Sequence, residues 1–266
     1  MTDLAIGPRL RWGAHDALTM SRRNLLIWLK VPAFIVFTVI QPVMFTLLFR
    51  YVFGGALKVP VPGGYVNYLL PGVIGQTAAF TSFGTAISLA MEMKEGVIDR
   101  LRSMPIARSA VLLGRLGADL VRLLVTVLIM IGVGYAVGFR FHSGILGPIE
   151  MVALSLLLGL ATCCISAFIG LAIRDEESVQ AFGLIWVFPL TFVSSAFVDV
   201  HTMPGWMQAF ANNQPISQMV EAMRATALGN PPGAPLSNHV WVGALWMLGI
   251  MVVFIPLAVR AYRKGG

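Results

Sequence analysis

Residues 91–108 read MEMKEGVIDRLRSMPIAR, with charge crowded into Glu92, Lys94, Glu95, Asp99, Arg100, Arg102 and Arg108. The runs on either side, 66–91 and 117–138, are nearly uncharged and long enough to cross a bilayer, which takes about 20 apolar residues. A charge at the bilayer centre costs about 2.5–3.5 kcal/mol on the insertion scale. The stretch therefore stays outside the hydrocarbon, and the chain is expected to cross the membrane on both sides of it.

Outward from that loop, four more apolar runs of spanning length follow, at 31–53, 148–173, 179–199 and 240–260. The fold class they imply is an all-α polytopic membrane protein with six transmembrane helices in a single domain, 1–266. Composition agrees: 57% of the 266 residues are hydrophobic and 12% charged, whereas a soluble domain is about a quarter charged. The first 24 residues are polar, with no apolar core before a cleavage site, so no signal peptide is expected and the first span stays as a working helix. Basic residues gather before span 1 (Arg9, Arg11, Arg22, Arg23, Lys30), in or beside the loop between spans 2 and 3 (through Arg115 and Arg122), at Arg174, and after span 6 (Arg260, Arg263, Lys264). Short cytoplasmic loops hold the excess of Lys and Arg, which places both termini in the cytoplasm. The net charge of +7 is thereby spent on orientation and anionic headgroups, and a nucleic-acid surface is excluded.

Residues 1–30 carry Leu10, Ala14, Ala17, Leu18, Leu25 and Trp28 at near-helical spacing between cations, which predicts an interfacial N-terminal helix. Span 1 holds Gln41 beside Pro42. In span 2, Thr77, Thr81, Thr85 and Ser88 share one helix face, with Gln76 next to them. That stripe with Gln41 is the candidate substrate route; the alternative is hydroxyls packing between helices. Span 4 has two rows of small residues, Ser155, Gly159, Cys163, Ala167 and Thr162, Ser166, Gly170, at the spacing that lets helix backbones approach closely. Residues 200–239 are too polar for a span and read as short helices at the outer face or a re-entrant region.

No GxxxxGK[ST] loop is present to cradle nucleotide phosphates. No HExxH, GxSxG or Cys/His metal spacing occurs, and Cys163 and Cys164 are adjacent packing residues. Catalytic and metal-ligating residues are therefore none. A lipid-modifying enzyme would have only Glu150, Asp199 and His201 to work with, at no recognisable spacing. The middles of the six spans are neutral and Asp119 lies near the start of span 3, which argues against an ion-coupled secondary transporter, the alternative reading. Energy for transport is expected from another chain.

Within 92–105, Met93, Val97, Ile98, Leu101 and Met104 fall on one side of a helix and Glu92, Glu95, Asp99 and Arg102 on the other, with Pro105 ending it. Three acidic residues repel anionic lipid, so a protein partner fits this helix better than a membrane surface. The run E-G-V-I-D-R-L-R-S-M-P-I-A-R resembles the cytoplasmic loop of ABC-2 type exporter permeases, in particular the daunorubicin-resistance branch, at Glu95, Gly96, Ile98, Asp99, Arg100, Leu101, Pro105 and Arg108. A second block is similar at Pro204, Gly205, Trp206, Pro215, Ala222 and Arg224, although many members carry Asn-Pro where this chain has Gln214-Pro215. The terminal PLAVRAYRK is similar too.

The resemblance implies the membrane-spanning permease subunit of an ATP-driven exporter in the bacterial cytoplasmic membrane. It implies two permease chains, identical or homologous, above two separate ATPase subunits that bind ATP and Mg. Residues 92–105 with Arg108 would then be the coupling helix, seated in the ATPase through Glu92, Glu95, Gly96, Asp99, Arg100, Leu101, Arg102 and Pro105. The cargo implied is an amphipathic drug, polyketide, lipid or polysaccharide.

Overall fold

The computed structural model describes residues 6–30, 36–55, 61, 63–103, 108–173, 175–229 and 236–264. Among them every regular element is a helix. Helix α1 spans Ile6–Lys30, and α2, Gln41–Leu48, is flanked by π-helical turns at Val36–Ile40 and Phe49–Phe53. Next come α3 (Tyr65–Lys94), the short α4 (Val97–Ser103), α5 (Arg108–Val137) and α6 (Leu146–Ile173). They are followed by α7 (Glu176–Phe192), a 3-10 turn at Val200–Thr202, α8 (Gly205–Asn213), α9 (Pro215–Leu228) and α10 (Leu236–Lys264).

Among the described residues, four helices are long and apolar enough to cross a membrane: Tyr65–Lys94, Val111–Val137, Leu146–Ile173 and His239–Tyr262. They coincide with spans 2, 3, 4 and 6. The first and fifth runs are helical but shorter. Thr38–Phe53 is an apolar helix below spanning length, its 31–35 flank lying outside the described residues. Helix α7 has 17 residues and stops at Phe192 rather than reaching 199. Exposed faces are apolar: Trp241, Leu245 and Val252 on α10 are 68%, 66% and 72% exposed, and Leu113, Val121 and Leu128 line α5. Such continuous apolar surface is suited to lipid, not water.

The small residues of α6 explain the tightest seam. Thr162, Ser166 and Gly170 oppose Ala78, Ser82 and Ala86 of α3. Ser166 Oγ lies 3.1 Å from Ser82 Oγ, and a Cβ on Gly170 would sit 2.4 Å from the Ala86 carbonyl oxygen. The other α6 row faces α5, where a Cβ on Gly159 would meet Leu123 Cδ2 at 2.3 Å. Helix α1 is held along the first turns of α5: Ser21 Oγ donates to the Gly114 carbonyl at 2.7 Å. The N-terminal segment is thus helical as expected, with Trp28 buried and Leu18, Leu26 and Leu29 exposed.

Helix α9 is a core element. Ile216, Met219, Val220, Ala222 and Met223 are buried among residues of α3 and α6, and Val220 and Met223 close over Gly75 of α3. Its two ends stay at the same end of the bundle. Gln214 reaches the end of α7, and the Ala227 carbonyl accepts from the His142 amide in the α5–α6 loop at 3.0 Å.

Candidate functional site

Helices α1, α2, α3, α5 and α7 surround a cavity of about 500 Å3, within the range of small-molecule sites. Of the candidate route residues, Gln41, Gln76, Thr77, Thr81 and Ser88 lie in its wall. Their hydroxyls first serve their own helix, donating to the carbonyl four residues back: Thr77 to Val73 at 2.7 Å, Thr81 to Thr77 at 2.8 Å and Ser88 to Gly84 at 2.5 Å. What remains toward the cavity is a row of acceptor lone pairs on a quiet surface. The rest of the wall is largely aromatic. Phe80 of α3 meets Phe188 of α7 edge to face, centroids 5.2 Å apart, and Phe188 stacks on Phe192 at 5.4 Å. Thr85, the remaining member of the stripe, turns away and donates to Asp119 Oδ2 at 2.7 Å.

That bond belongs to a buried ion network that the sequence reading placed in or beside a loop. Helix α5 begins at Arg108, nine residues before the expected span edge, so Arg115, Asp119 and Arg122 sit on one face inside the helix rather than at its entrance. Arg122 Nη2 lies 2.6 Å from Asp119 Oδ1, and Asp119 is only 2% exposed. Arg115 donates to Ser88 Oγ and faces Glu92 at 3.4 Å, a carboxylate that Arg23 of α1 approaches at 3.8 Å. Charges buried this way are tolerable only as mutually compensating sets. Three helices are tied together by them at the α4 end of the cavity.

The charged stretch that sequence periodicity joins into one helix is two helices. Helix α3 continues through Lys94, Gly96 takes φ +68°, and α4 restarts at Val97. A left-handed residue costs other L-residues roughly 1–2 kcal/mol, which is why glycine stands at the break. Glu92 is consequently part of α3 and faces Arg115, apart from α4. Ile98 and Leu101 are buried, Ile98 in a cluster with Leu89, Leu112, Leu171 and Tyr262. Ile98 and Leu101 are thereby used within the chain, Met104 lies outside the described residues, and Glu95 and Arg100 are exposed. Pro105 and the side chains of Asp99, Arg102 and Arg108 lie outside the described residues.

At the other end, Arg224 explains the second sequence block. Its side chain is buried over the Tyr68 ring, 3.6 Å from the centroid. It donates to the Tyr68 carbonyl at 3.2 and 3.3 Å, to the Ser195 carbonyl at 2.9 Å and to Glu221 at 2.6 Å. Pro215 opens α9, preceded by Gln214, whose Nε2 donates to the Leu190 and Val193 carbonyls at 2.8 and 2.9 Å. The departure from Asn-Pro is thus a side chain that caps the end of α7. Pro204 and Gly205 start α8, where Trp206 is 74% exposed. Asp199 caps the 3-10 turn by accepting from the His201 amide at 3.0 Å, a local structural use.

Comparison with known proteins agrees with this arrangement. The model of the ABC-2 type transporter family matches residues 15–228. A daunorubicin resistance ABC transporter permease protein of Streptomyces coeruleorubidus is 32% identical over 247 residues, covering 93% of this chain and 86% of the relative. A "probable doxorubicin resistance ABC transporter permease protein" of Mycobacterium tuberculosis is 30% identical over 251 residues, covering 94% and 88%. A second M. tuberculosis protein, a doxorubicin resistance ABC transporter permease, is 29% identical over 197 residues, or 74% and 68%. The ion-coupled carrier finds no support among these relatives. A cavity walled by helices, a charged helix beside it and homology across nearly the whole chain converge: the chain belongs to the ABC-2 type transporter family and is a membrane permease subunit of an ABC exporter.

Proposed function

We propose that this permease crosses the bacterial cytoplasmic membrane six times, with both termini in the cytoplasm, and moves an amphipathic drug-, lipid- or polyketide-like molecule outward through the α2–α3–α7 cavity. The short helices at 36–53 and 176–192 serve as the remaining two spans. Helix α9, with both ends on one side of the bundle, is the re-entrant element of the outer face. Two ATPase subunits bind ATP and magnesium beneath a pair of permeases, identical or homologous. The exposed charges beside α4, with Glu95 and Arg100 foremost, seat in the ATPase. Relatives named for daunorubicin and doxorubicin resistance support a drug-like cargo.

One observation carries this reading: α3 is a single helix that lines the cavity along Gln76, Thr77, Thr81 and Ser88 and ends at the turn into α4. Force applied to α4 therefore reaches the cavity wall through one continuous element. Charge reversals Glu95→Arg and Arg100→Glu test it in proteoliposomes containing the ATPase. Export is expected to fall at least about tenfold, the factor that corresponds to roughly 1.4 kcal/mol of coupling, while the permease inserts and purifies normally. Undiminished ATP-driven export in both variants would remove α4 from the coupling path.

A further inference from the structure

Four amphipathic rings from four different elements are exposed at one end of the bundle: Tyr51 after α2, Tyr135 at the end of α5, Trp206 on α8 and Trp241 near the start of α10. Contacts fix that common end. Phe49, just before Tyr51, stacks on Phe197 beyond α7 with centroids 4.9 Å apart. His239 of α10 lies 3.3 Å from Gln218 of α9, whose amide also donates to the Asn212 carbonyl at the end of α8. The loop after α5 bonds the last turn of α9. Toward the α4 end, by contrast, Trp28 and Tyr262 are buried. Tryptophan and tyrosine collect at a membrane–water boundary because an apolar ring and a polar tip are both solvated there. The four exposed rings therefore mark where a bilayer surface meets this end of the protein.

Helix α8, GWMQAFANN, carries no charged residue. One side of it is engaged by the chain: Ala211 is buried, and Gln208 Nε2 donates to the Met203 and His201 carbonyls at 2.7 and 3.3 Å. The other side presents Trp206, Ala209 and Phe210 at three- and four-residue steps, Trp206 74% and Phe210 48% exposed. Asn212, also exposed, stands about 120° round the helix from Trp206. We infer that α8 lies flat in the outer leaflet of the bilayer, with Trp206, Ala209 and Phe210 sunk about 5–10 Å into the headgroup and acyl boundary and Asn212 turned to water. Phospholipid is the occupant because this face is continuous in character with the ring of exposed aromatics and the apolar flanks of α5 and α10. It also offers no charge by which a soluble partner would be oriented. The choice of leaflet rests on the topology proposed above; insertion of the face does not. Helix α8 leads from α7, whose Phe188 and Phe192 wall the cavity, into α9, so the leaflet steadies the far end of that wall.

Nitroxide labels on Trp206→Cys, Phe210→Cys and Asn212→Cys, in the intact permease reconstituted into phosphatidylcholine vesicles, are read by power-saturation EPR. Oxygen, which concentrates in lipid, is compared with a nickel chelate, which stays in water. The unsubstituted protein, whose Cys163 and Cys164 are buried, sets the labelling background. The ratio of oxygen to nickel collisions is expected to be higher for the Trp206→Cys and Phe210→Cys labels than for the Asn212→Cys label. Nickel-dominated collisions at all three would place α8 in water. Shielding of the first two from both agents would put a protein, a second copy included, on the face. Either result overturns the inference. Trp206→Phe decides the matter if a labelled variant does not fold: the fluorescence it removes from the wild type is expected to be quenched by dibrominated phosphatidylcholine, and an unquenched difference overturns the inference likewise. Spheroplasts test the leaflet. A membrane-impermeant maleimide is expected to reach Asn212→Cys from outside. Reaction only after permeabilisation would overturn the outer placement, and with lipid contact still recorded by EPR it would trace that failure to the topology. No ATPase or nucleotide takes part, so failure here leaves ATP-driven export standing.

Discussion

Replacing Arg224 with methionine keeps most of the aliphatic stem and deletes every polar contact of the guanidinium. Those contacts tie α9 to the first turn of α3 and to the turn after α7. The Ser195 carbonyl is not wholly orphaned, since the Tyr68 hydroxyl still donates to it at 2.9 Å. Glu221, 36% exposed, can rehydrate. Hydrogen bonds to charged groups are worth about 1.5–3 kcal/mol each, and part of that sum is returned when a buried cation is removed. The net loss expected for Arg224→Met is about 3 kcal/mol, the low end for breaking a buried charged set. For a chain of this size that is a fall in Tm of roughly 6–12 °C. Heating the detergent-solubilised protein and reading the surviving monodisperse peak by size exclusion measures it. Glu221→Gln alone is expected to cost much less, and the double variant little more than Arg224→Met. A shift below about 2 °C for Arg224→Met would refute the assignment of the outer motif as a structural clamp, because a group making these contacts cannot be removed at under ~1 kcal/mol.

Gly170→Leu drives a side chain into the Ala86 carbonyl and is expected to destabilise by about 1–3 kcal/mol through overpacking. Gly132→Ala, where an added Cβ meets nothing within 4 Å, is the neutral control in the same thermal assay. Thr81→Phe adds a ring to the wall of a cavity of about 500 Å3; export is expected to drop severalfold with Tm held, and unchanged export would move the route elsewhere. Asp175 caps α7 by accepting from the Ser178 amide at 2.9 Å. Hydrogen bonds from Ser178 hold its carboxyl below the ordinary range, so the cap is complete above that range and is lost as pH falls through the lowered value. Hydrogen exchange at Glu177–Val179 checks this: acid is expected to loosen the first turn in the wild type and not in Asp175→Asn, which keeps a capping side chain without the titration.

The helical runs were legible because lipid demands them: long uncharged stretches have few other uses. Their contents were harder to read where charge is neutralised between helices. Arg115, Asp119 and Arg122 look like a loop margin in a linear scan, since Ser88 and Thr85, which bond Arg115 and Asp119, lie on α3, 27 and 34 residues away in sequence. Helix α9 was hidden by the same effect, as Glu221 and Arg224 neutralise each other three residues apart. Helical spacing puts the hydroxyls on one face, but periodicity does not tell which of them turns to a carboxylate, and Thr85 does. Gly96 carried a signal of its own, a glycine inside an otherwise helical pattern, which marks a break as readily as a tolerated small residue.

The seam between α3 and α6 has a mechanical meaning. With Gly170 against the Ala86 backbone and Ser166 on Ser82, the two helices cannot slide past each other by a fraction of a turn without collision, so they tilt together. A helix of 30 residues is about 45 Å long, so a tilt of about 5° pivoted at one end displaces the other by roughly 4 Å. That is about the thickness of an aromatic ring. The stroke needed to part Phe80 from Phe188 is therefore small, a turn of the pair through only a few degrees.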